Sequence, residues 1–336
     1  MEKIDVSNIP SGQEVEVGLM RPEDAPGVAA LFRAVYHEDY PIKTYYHPQA
    51  LIAANQSGEI VSCVSRTSRG DIVGHNAFYR IAPCKKIYEG GAGLVLPAYR
   101  NTARLLERML SLGIQMVPEF GGEGICGEQI CSHLYTQKAA ARLGNVTMGL
   151  EVDLSFEEGG GQKRVSSFNG YQTLKPLPHT VYLPEIYDGP LRFLYGGLNE
   201  ERQFKPSDRL PAAGYLSRIE VNIYDWAQVT RISVFEIGED FMVAMAVKES
   251  EAAARGVTVC QVWLPLASTS VGWAVERLRS RGYFLGGILP RWFDTDGLLM
   301  QRLSHTPDWD SIQILLDRSR EIVHMVREDW QRSRPQ

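Results

Sequence analysis

From Glu14 to Met20 apolar and polar positions alternate, the period of a strand with one buried face, and then the period lengthens. Arg21-Pro22-Glu23-Asp24 reads as a helix start whose acids complement the helix dipole. Ala25, Val28, Ala29, Leu31, Phe32 and Val35 supply the apolar stripe that follows. A polar and aromatic connector at 37–48 leads to a short helix at 48–55. Turn residues at 56–58 and 67–71 then separate strands predicted at 60–66, 72–81 and 87–96, and Pro97 closes the last because it cannot donate to a ladder. Ala103, Leu106, Leu110 and Gly113 recur at helical spacing, which predicts a helix from Asn101 to Gly113. A strand at 124–130, a helix at 137–143 capped by Gly144, and a strand at 146–154 complete this stretch.

The run Glu157 to Gln162 marks a boundary. Beyond it, 163–215 is proline-rich, with one strand at 165–174 and a short helix at 185–194 interrupted by Gly189-Pro190. Regular patterning returns with a strand at 218–223. The segment 226–234 fits helix or strand, and a helix at 240–255 ends at Gly256. A strand at 257–264, a helix at 271–281, strands at 283–289 and 298–303 and a terminal helix at 309–330 follow. The fold class is α/β (α+β), a mixed, mostly antiparallel sheet with flanking helices. The division expected is a first domain at 14–155, a proline-rich bridge at 156–214 and a companion α/β domain at 215–330.

A chain of 336 residues is long for one core, which agrees with that division. The apolar content of 44% suits packed cores and excludes a disordered chain, and no apolar run approaches the ~18 residues a spanning helix needs. The opening residues lack the pattern of a signal peptide, so a soluble cytoplasmic protein is expected, with no membrane partner. Net charge is -5 with arginines dispersed among acids, which gives no support to nucleic acid as a partner. The five cysteines suit buried free thiols; Cys126, Cys131 and His133 lie close in sequence without the spacing of a zinc site, and no metal is expected.

The chemically informative stretch is 88–113, where a glycine-rich strand runs through Pro97 into a turn and a helix. The free amides of a helix head form an anion site, and Arg100 at its mouth adds charge. Gly90, Gly91 and Gly93 permit a bulged or splayed strand, against which an amide-bearing ligand could pair. Val95, Pro97, Tyr99 and Arg100 resemble the coenzyme-A-binding motif of the GCN5-related N-acetyltransferase (GNAT) superfamily. The stretch 15–35 is similar to that family's first strand and helix, and 137–144 to a later one.

The resemblance implies a GNAT-like acyl-CoA fold at 14–155, with 215–330 as a second, GNAT-like or degenerate half. It implies acetyl-CoA or another acyl-CoA as cofactor, and transfer of its acyl group to a primary amine that attacks the thioester directly. The acceptor, a small molecule or a protein, and the oligomeric state stay open. Leu94, Val95 and Leu96 would contact the pantetheine, and amides near Leu94 and Val95 the acyl carbonyl. Arg100, Asn101, Thr102, Ala103, Arg104 and Leu105 would wrap the pyrophosphate. Glu89 and His133 are candidate bases and Tyr135 a candidate acid. Tyr36 is another candidate acid, since Ala140 stands where many members carry the tyrosine that protonates the thiolate. His37, Glu38, Asp39, Tyr40, Tyr45 and Tyr46 would line an acceptor pocket. A non-catalytic acyl-CoA sensor is the alternative reading.

Overall fold

The computed structural model describes residues 6, 9–100, 104–157 and 163–333, and its contacts divide the chain into two compact units, Met1–Gly127 and Glu128–Gln336. The first unit holds β1 (Val15–Leu19), α1 (Ala25–Tyr36), α2 (Pro48–Gln56), β2 (Ile60–Thr67), β3 (Ile72–Tyr79), β4 (Ile87–Val95) and α3 (Leu105–Met116). It also holds the first half of β5 (Gly124–Ile130). The strands lie in the order β1-β2-β3-β4-β5, antiparallel except for the β4–β5 pair, which is parallel. This is the mixed, mostly antiparallel sheet expected from the sequence.

Helices cover both faces of this sheet, and adjacent residues of β3 show how. His75 meets Phe32 of α1, ring centroids 5.3 Å apart, whereas a side chain on neighbouring Gly74 would meet Met109 of α3. The β2 strand is buried along its whole length as a result. Asp24, read from sequence as a dipole partner, also ties the head of α1 to β2, because its carboxylate takes a bidentate bond from buried Arg66 at 2.8 and 2.5 Å. Leu105, Met109 and Gly113 form the buried stripe of α3, and a Cβ on Gly113 would fall 1.9 Å from the Phe78 ring, so α3 lies close against β3.

The second unit holds α4 (Tyr135–Arg142), β6 (Val146–Phe156), β7 (Arg164–Thr173), β8 (His179–Leu183), α5 (Asp188–Tyr195) and β9 (Arg202–Pro206). Next come β10 (Arg218–Tyr224), β11 (Val229–Glu236), α6 (Phe241–Ala254), β12 (Val259–Pro265), α7 (Val271–Arg279), β13 (Phe284–Leu289), β14 (Gly297–Leu303) and α8 (Asp317–Ser333). Its main sheet runs β7-β6-β13-β14-β12-β11-β10, and β8 and β9 form a separate parallel pair. The chain order strand-strand-helix-strand-helix-strand-strand occurs twice, over β3–β7 and over β10–β14. Each copy places a helix between two parallel strands (β4 and β5, β11 and β12) and ends in an antiparallel pair. The later segment is therefore a shortened copy of the earlier arrangement, without counterparts of β1 and β2.

Several elements differ from expectation. The segment 226–234, open between helix and strand, ends a 3-10 turn at Asp225–Ala227 and then enters β11: its β-branched Val229, Thr230, Ile232 and Val234 sit buried between β10 and β12. The terminal helix begins at Asp317, after a short 3-10 turn at Trp309–Ser311. Pro190 does not interrupt α5, because it lies in the first turn, where its missing N–H is one the helix leaves unbonded. The expected start of α3 at Asn101 lies outside the described residues, and the helix that is described starts at Leu105. Among the described residues no helix is long and apolar enough to cross a membrane.

β6 and β13 meet backbone to backbone at Gly149 and Gly287. A Cβ on Gly149 would lie 2.6 Å from Gly286 O and 2.9 Å from Gly287 Cα, and Gly287 has a φ of +143°. Backbone cannot rotate away as a side chain can. Gly149→Ala is expected to destabilise the protein by about 1–3 kcal/mol through overpacking, read as a lower urea midpoint. Gly189→Ala, with nothing within 4 Å, serves as the neutral control.

Candidate active site

The β4 strand carries a bulge, and the register locates it. Ala77 pairs with Gly91 and His75 with Leu94, so Asn76 alone faces both Ala92 and Gly93. Ala92 takes the left-handed conformation, φ +50°, which costs an L-residue about 1–2 kcal/mol. The glycines beside it provide room: a Cβ on Gly91 would meet the Tyr79 hydroxyl at 2.5 Å and one on Gly93 the Asn76 side chain at 2.9 Å.

Beyond the bulge the strand direction of each amide follows from one bond. Leu96 N–H donates to Val73 O at 2.8 Å, so Leu96 and Leu94 address β3, and Val95 between them turns its N–H and C=O to the other side. On that side the ladder to β5 spans Ile87↔Gly124, Tyr88↔Ile125 and Glu89↔Cys126 and goes no further. The amide of Val95 therefore faces away from β3, on the side where the ladder to β5 has already ended. Arg100, exposed, curls back so that its Nε donates to Val95 O at 3.1 Å.

The head of α3 follows. Arg104 caps the helix in the left-handed conformation, φ +49°, and Arg108 N–H makes the first helical bond, to Arg104 O at 3.0 Å. The amides of Leu105, Leu106 and Glu107 precede that bond, so the helix itself gives them no acceptor. Leu105 is 2% exposed and belongs to the core with Val73, Leu94 and Leu96. Tyr99 is also buried, its hydroxyl donating to Pro10 O and accepting from Gln13 Nε2. Asn101, Thr102 and Ala103 lie outside the described residues.

Glu89 is buried at the last paired position of β4, where Tyr79 OH donates to its Oε1 at 2.9 Å. His133 and Tyr135 belong to the second unit, rings 5.4 Å apart, with Tyr135 72% exposed on the first turn of α4. In the expected acceptor loop, Tyr45 and Tyr46 are core residues: Tyr45 stacks on Phe32 at 4.6 Å and burial raises its hydroxyl pKa well above 10. His37, Glu38 and Asp39 remain exposed. All five cysteines are buried, and burial pushes the Cys63 and Cys131 thiols up to about 12, which makes them poor nucleophiles.

The corresponding turn of the second copy, before α6, is closed. A Cβ on Gly238 would meet Tyr215 O at 2.3 Å, and the segment 215–217 holds the turn's own amides: Gly238 N–H donates to Ser217 Oγ and Glu239 N–H to Tyr215 O, each at 2.9 Å. Glu236, Glu239 and Asp240 gather at this helix head and would repel phosphate.

No protein-family profile matches the chain, and no curated protein does. Solved structures do. An N-acetyltransferase from Staphylococcus aureus Mu50 is 14% identical with a TM-score of 0.41, over 48% of this chain and 99% of its own. A ribosomal-protein-S5-alanine acetyltransferase from Vibrio fischeri is 16% identical with a TM-score of 0.40, over 47% and 92%. An acetyltransferase of the GNAT family from Streptococcus pneumoniae is 16% identical with a TM-score of 0.41, over 48% and 99%.

Proposed function

We propose that the chain is an N-acyltransferase that moves an acetyl or other short acyl group from coenzyme A to a primary amine. Residues 14–155 act as the acyl-CoA-binding domain and 215–330 as its companion. The observation that carries this reading is the parting of β4 from β5 after Glu89, with the amide of Val95 turned to the opened side and the head of α3 close behind it in the chain.

Each feature suits one part of an acyl-CoA. The pantetheine amides require an unpaired strand edge. The thioester carbonyl requires a fixed donor, and the Val95 N–H supplies one without reorganisation. The pyrophosphate requires free amides and positive charge, which the head of α3 with Arg100 and Arg104 offers. Glu89, held by the Tyr79 hydroxyl, accepts the proton that the attacking amine sheds, directly or through water. The amine needs no protein nucleophile, and the raised thiol pKa values agree with that.

Calorimetry with acetyl-CoA, followed by thioester release in the presence of a panel of amines, tests the proposal. We expect one molecule bound per chain, since the second turn is filled by 215–217, and amine-dependent thiol release. Neither heat nor release at millimolar acetyl-CoA would overturn the reading; two molecules per chain would overturn the closure of the second turn.

A further inference from the structure

We infer that His75 is a positioning residue, which sets the β4 bulge and thereby decides which backbone amide faces the opened side of the strand. The inference rests on the acyltransferase reading above and adds to it a residue outside the substrate-contacting set.

The contacts form a chain of four groups. His75 Nδ1 lies 3.0 Å from Ala92 O, and Nε2 lies 3.1 Å from Ser62 Oγ. A carbonyl only accepts, so Nδ1 carries the hydrogen and Nε2 receives the Ser62 hydroxyl. Ser62 in turn accepts from Asn55 Nδ2 at 3.2 Å and gives its backbone N–H to Asn55 Oδ1 at 2.8 Å. Asn55 is fixed by a further bond to Leu51 O at 2.9 Å. The end of α2 is thus linked through β2 and β3 to the single left-handed residue of β4. His75 is fully buried, with the edges of the Phe32 and Tyr45 rings each at 5.3 Å and no charged side chain bonded to it. Burial holds its pKa down to about 4, so the ring keeps this neutral tautomer at working pH.

The consequence is one of phase. Strand amides alternate in direction, so one extra residue at Ala92–Gly93 exchanges the directions of all that follow. With the bulge, Val95 N–H faces outward and Leu94 N–H is spent on β3. Without it the two exchange roles. Ala92 lacks the conformational freedom of glycine, so the left-handed turn needs an outside restraint, and the His75 bond to its carbonyl is that restraint.

The test compares His75→Asn with His75→Gln. The asparagine amide nitrogen falls near Nδ1 and keeps the bond to Ala92; glutamine places its nitrogen near Nε2 and does not. We expect His75→Asn to stay within about threefold of the wild-type kcat, and His75→Gln to lose about 10- to 100-fold, a part of what losing an oxyanion donor costs. The dissociation constant for acetyl-CoA, measured by calorimetry, should change less than kcat in both. Melting curves report whether each variant folds, and amide exchange at Leu94 and Val95 in the wild type against His75→Gln reads the phase itself. Equal kcat in two folded variants, or unchanged exchange, overturns the role of His75. A wild type that neither binds nor turns over acetyl-CoA instead overturns the acyltransferase reading, while the exchange comparison still decides whether His75 sets the bulge.

Discussion

Val95→Pro is expected to lower kcat by about 10²- to 10³-fold while leaving the fold in place. Proline removes one N–H, holds its own φ at about −65° and keeps the residue before it extended, which a strand accommodates, and it is tolerated in a sheet only where that N–H does not belong to the ladder. Val95 meets the condition because its pairing with Gly74 is of the type that exchanges no bonds, as the Leu96 to Val73 bond at the next position requires. The same change at Leu94 or Leu96 would break a bond to β3 and should cost stability. Val95→Ala keeps the amide and should keep most of the turnover. Steady-state kinetics with acetyl-CoA, beside calorimetric affinity and a melting curve, separates the effects. A folded Val95→Pro variant with undiminished kcat would remove this amide from the chemistry.

The sequence exposed the glycine-rich strand but not the residue that turns it. Gly90, Gly91 and Gly93 signal that side chains are unwelcome there, yet the left-handed position is Ala92, which no local rule selects. Its restraint, His75, lies 17 residues away and becomes visible only when β3 and β4 are in register. One clue existed in the chain itself: a lone histidine within a strand whose other residues are small or apolar. Element order was legible because period and punctuation are local properties, as in β2 to β4 with their separating turns. The segment 226–234 is ambiguous in sequence because Val, Ile and Thr fit a helix stripe and a buried strand alike, and only the neighbours β10 and β12 decide.

Side-chain roles were harder to read than elements. Tyr45 and Tyr46 look like pocket residues in a polar connector, but the Phe32 ring offers Tyr45 a stacking partner and the connector folds inward. Leu105 and Leu94, which the resemblance would place against the cofactor, are buried in the core. The proline-rich stretch 163–215 concealed three members of an ionic cluster in the second unit, His179, Glu200 and Arg202. Glu200 and Arg202 pair two residues apart, but the contacts that bring His179 and Arg202 to Asp296 span 117 and 94 residues of sequence, and nothing local announces them.

Asp296→Asn is expected to destabilise the protein by about 3–5 kcal/mol, because it removes the buried counter-charge that His179 and Arg202 share and leaves Arg202 with Glu200 alone. Asp296 is fully buried beneath a bowl of about 850 Å³ lined in part by His179, Tyr195, Arg202 and Phe204. Its Oδ2 accepts from Tyr195 OH and Arg202 Nε, each at 2.8 Å, and its Oδ1 accepts from Arg291 N–H at 2.9 Å. His179 Nε2 stands 3.1 Å from Oδ2 but off the line of a good hydrogen bond, so charge carries much of that contact. Burial alone would push the Asp296 carboxyl up; His179 and Arg202 outweigh it and hold it at about 2, while for His179 the same carboxylate outweighs burial and raises the imidazole above 6.5. The signs give a window. The carboxylate's contribution is complete above about pH 4 and fades as pH falls toward 2; the imidazolium's is complete below 6.5 and fades as pH rises through its raised value. The wild type should therefore gain most from this cluster between about pH 4 and 6.5, and Asp296→Asn should flatten that part of the profile as well as lower it. Urea midpoints across that range measure both effects. Pairing the change with Arg202→Met should cost less than the sum of the two single losses, since Asp296 and Arg202 share one buried ion pair. A fully additive double variant would mean that Asp296 and Arg202 stabilise the unit independently.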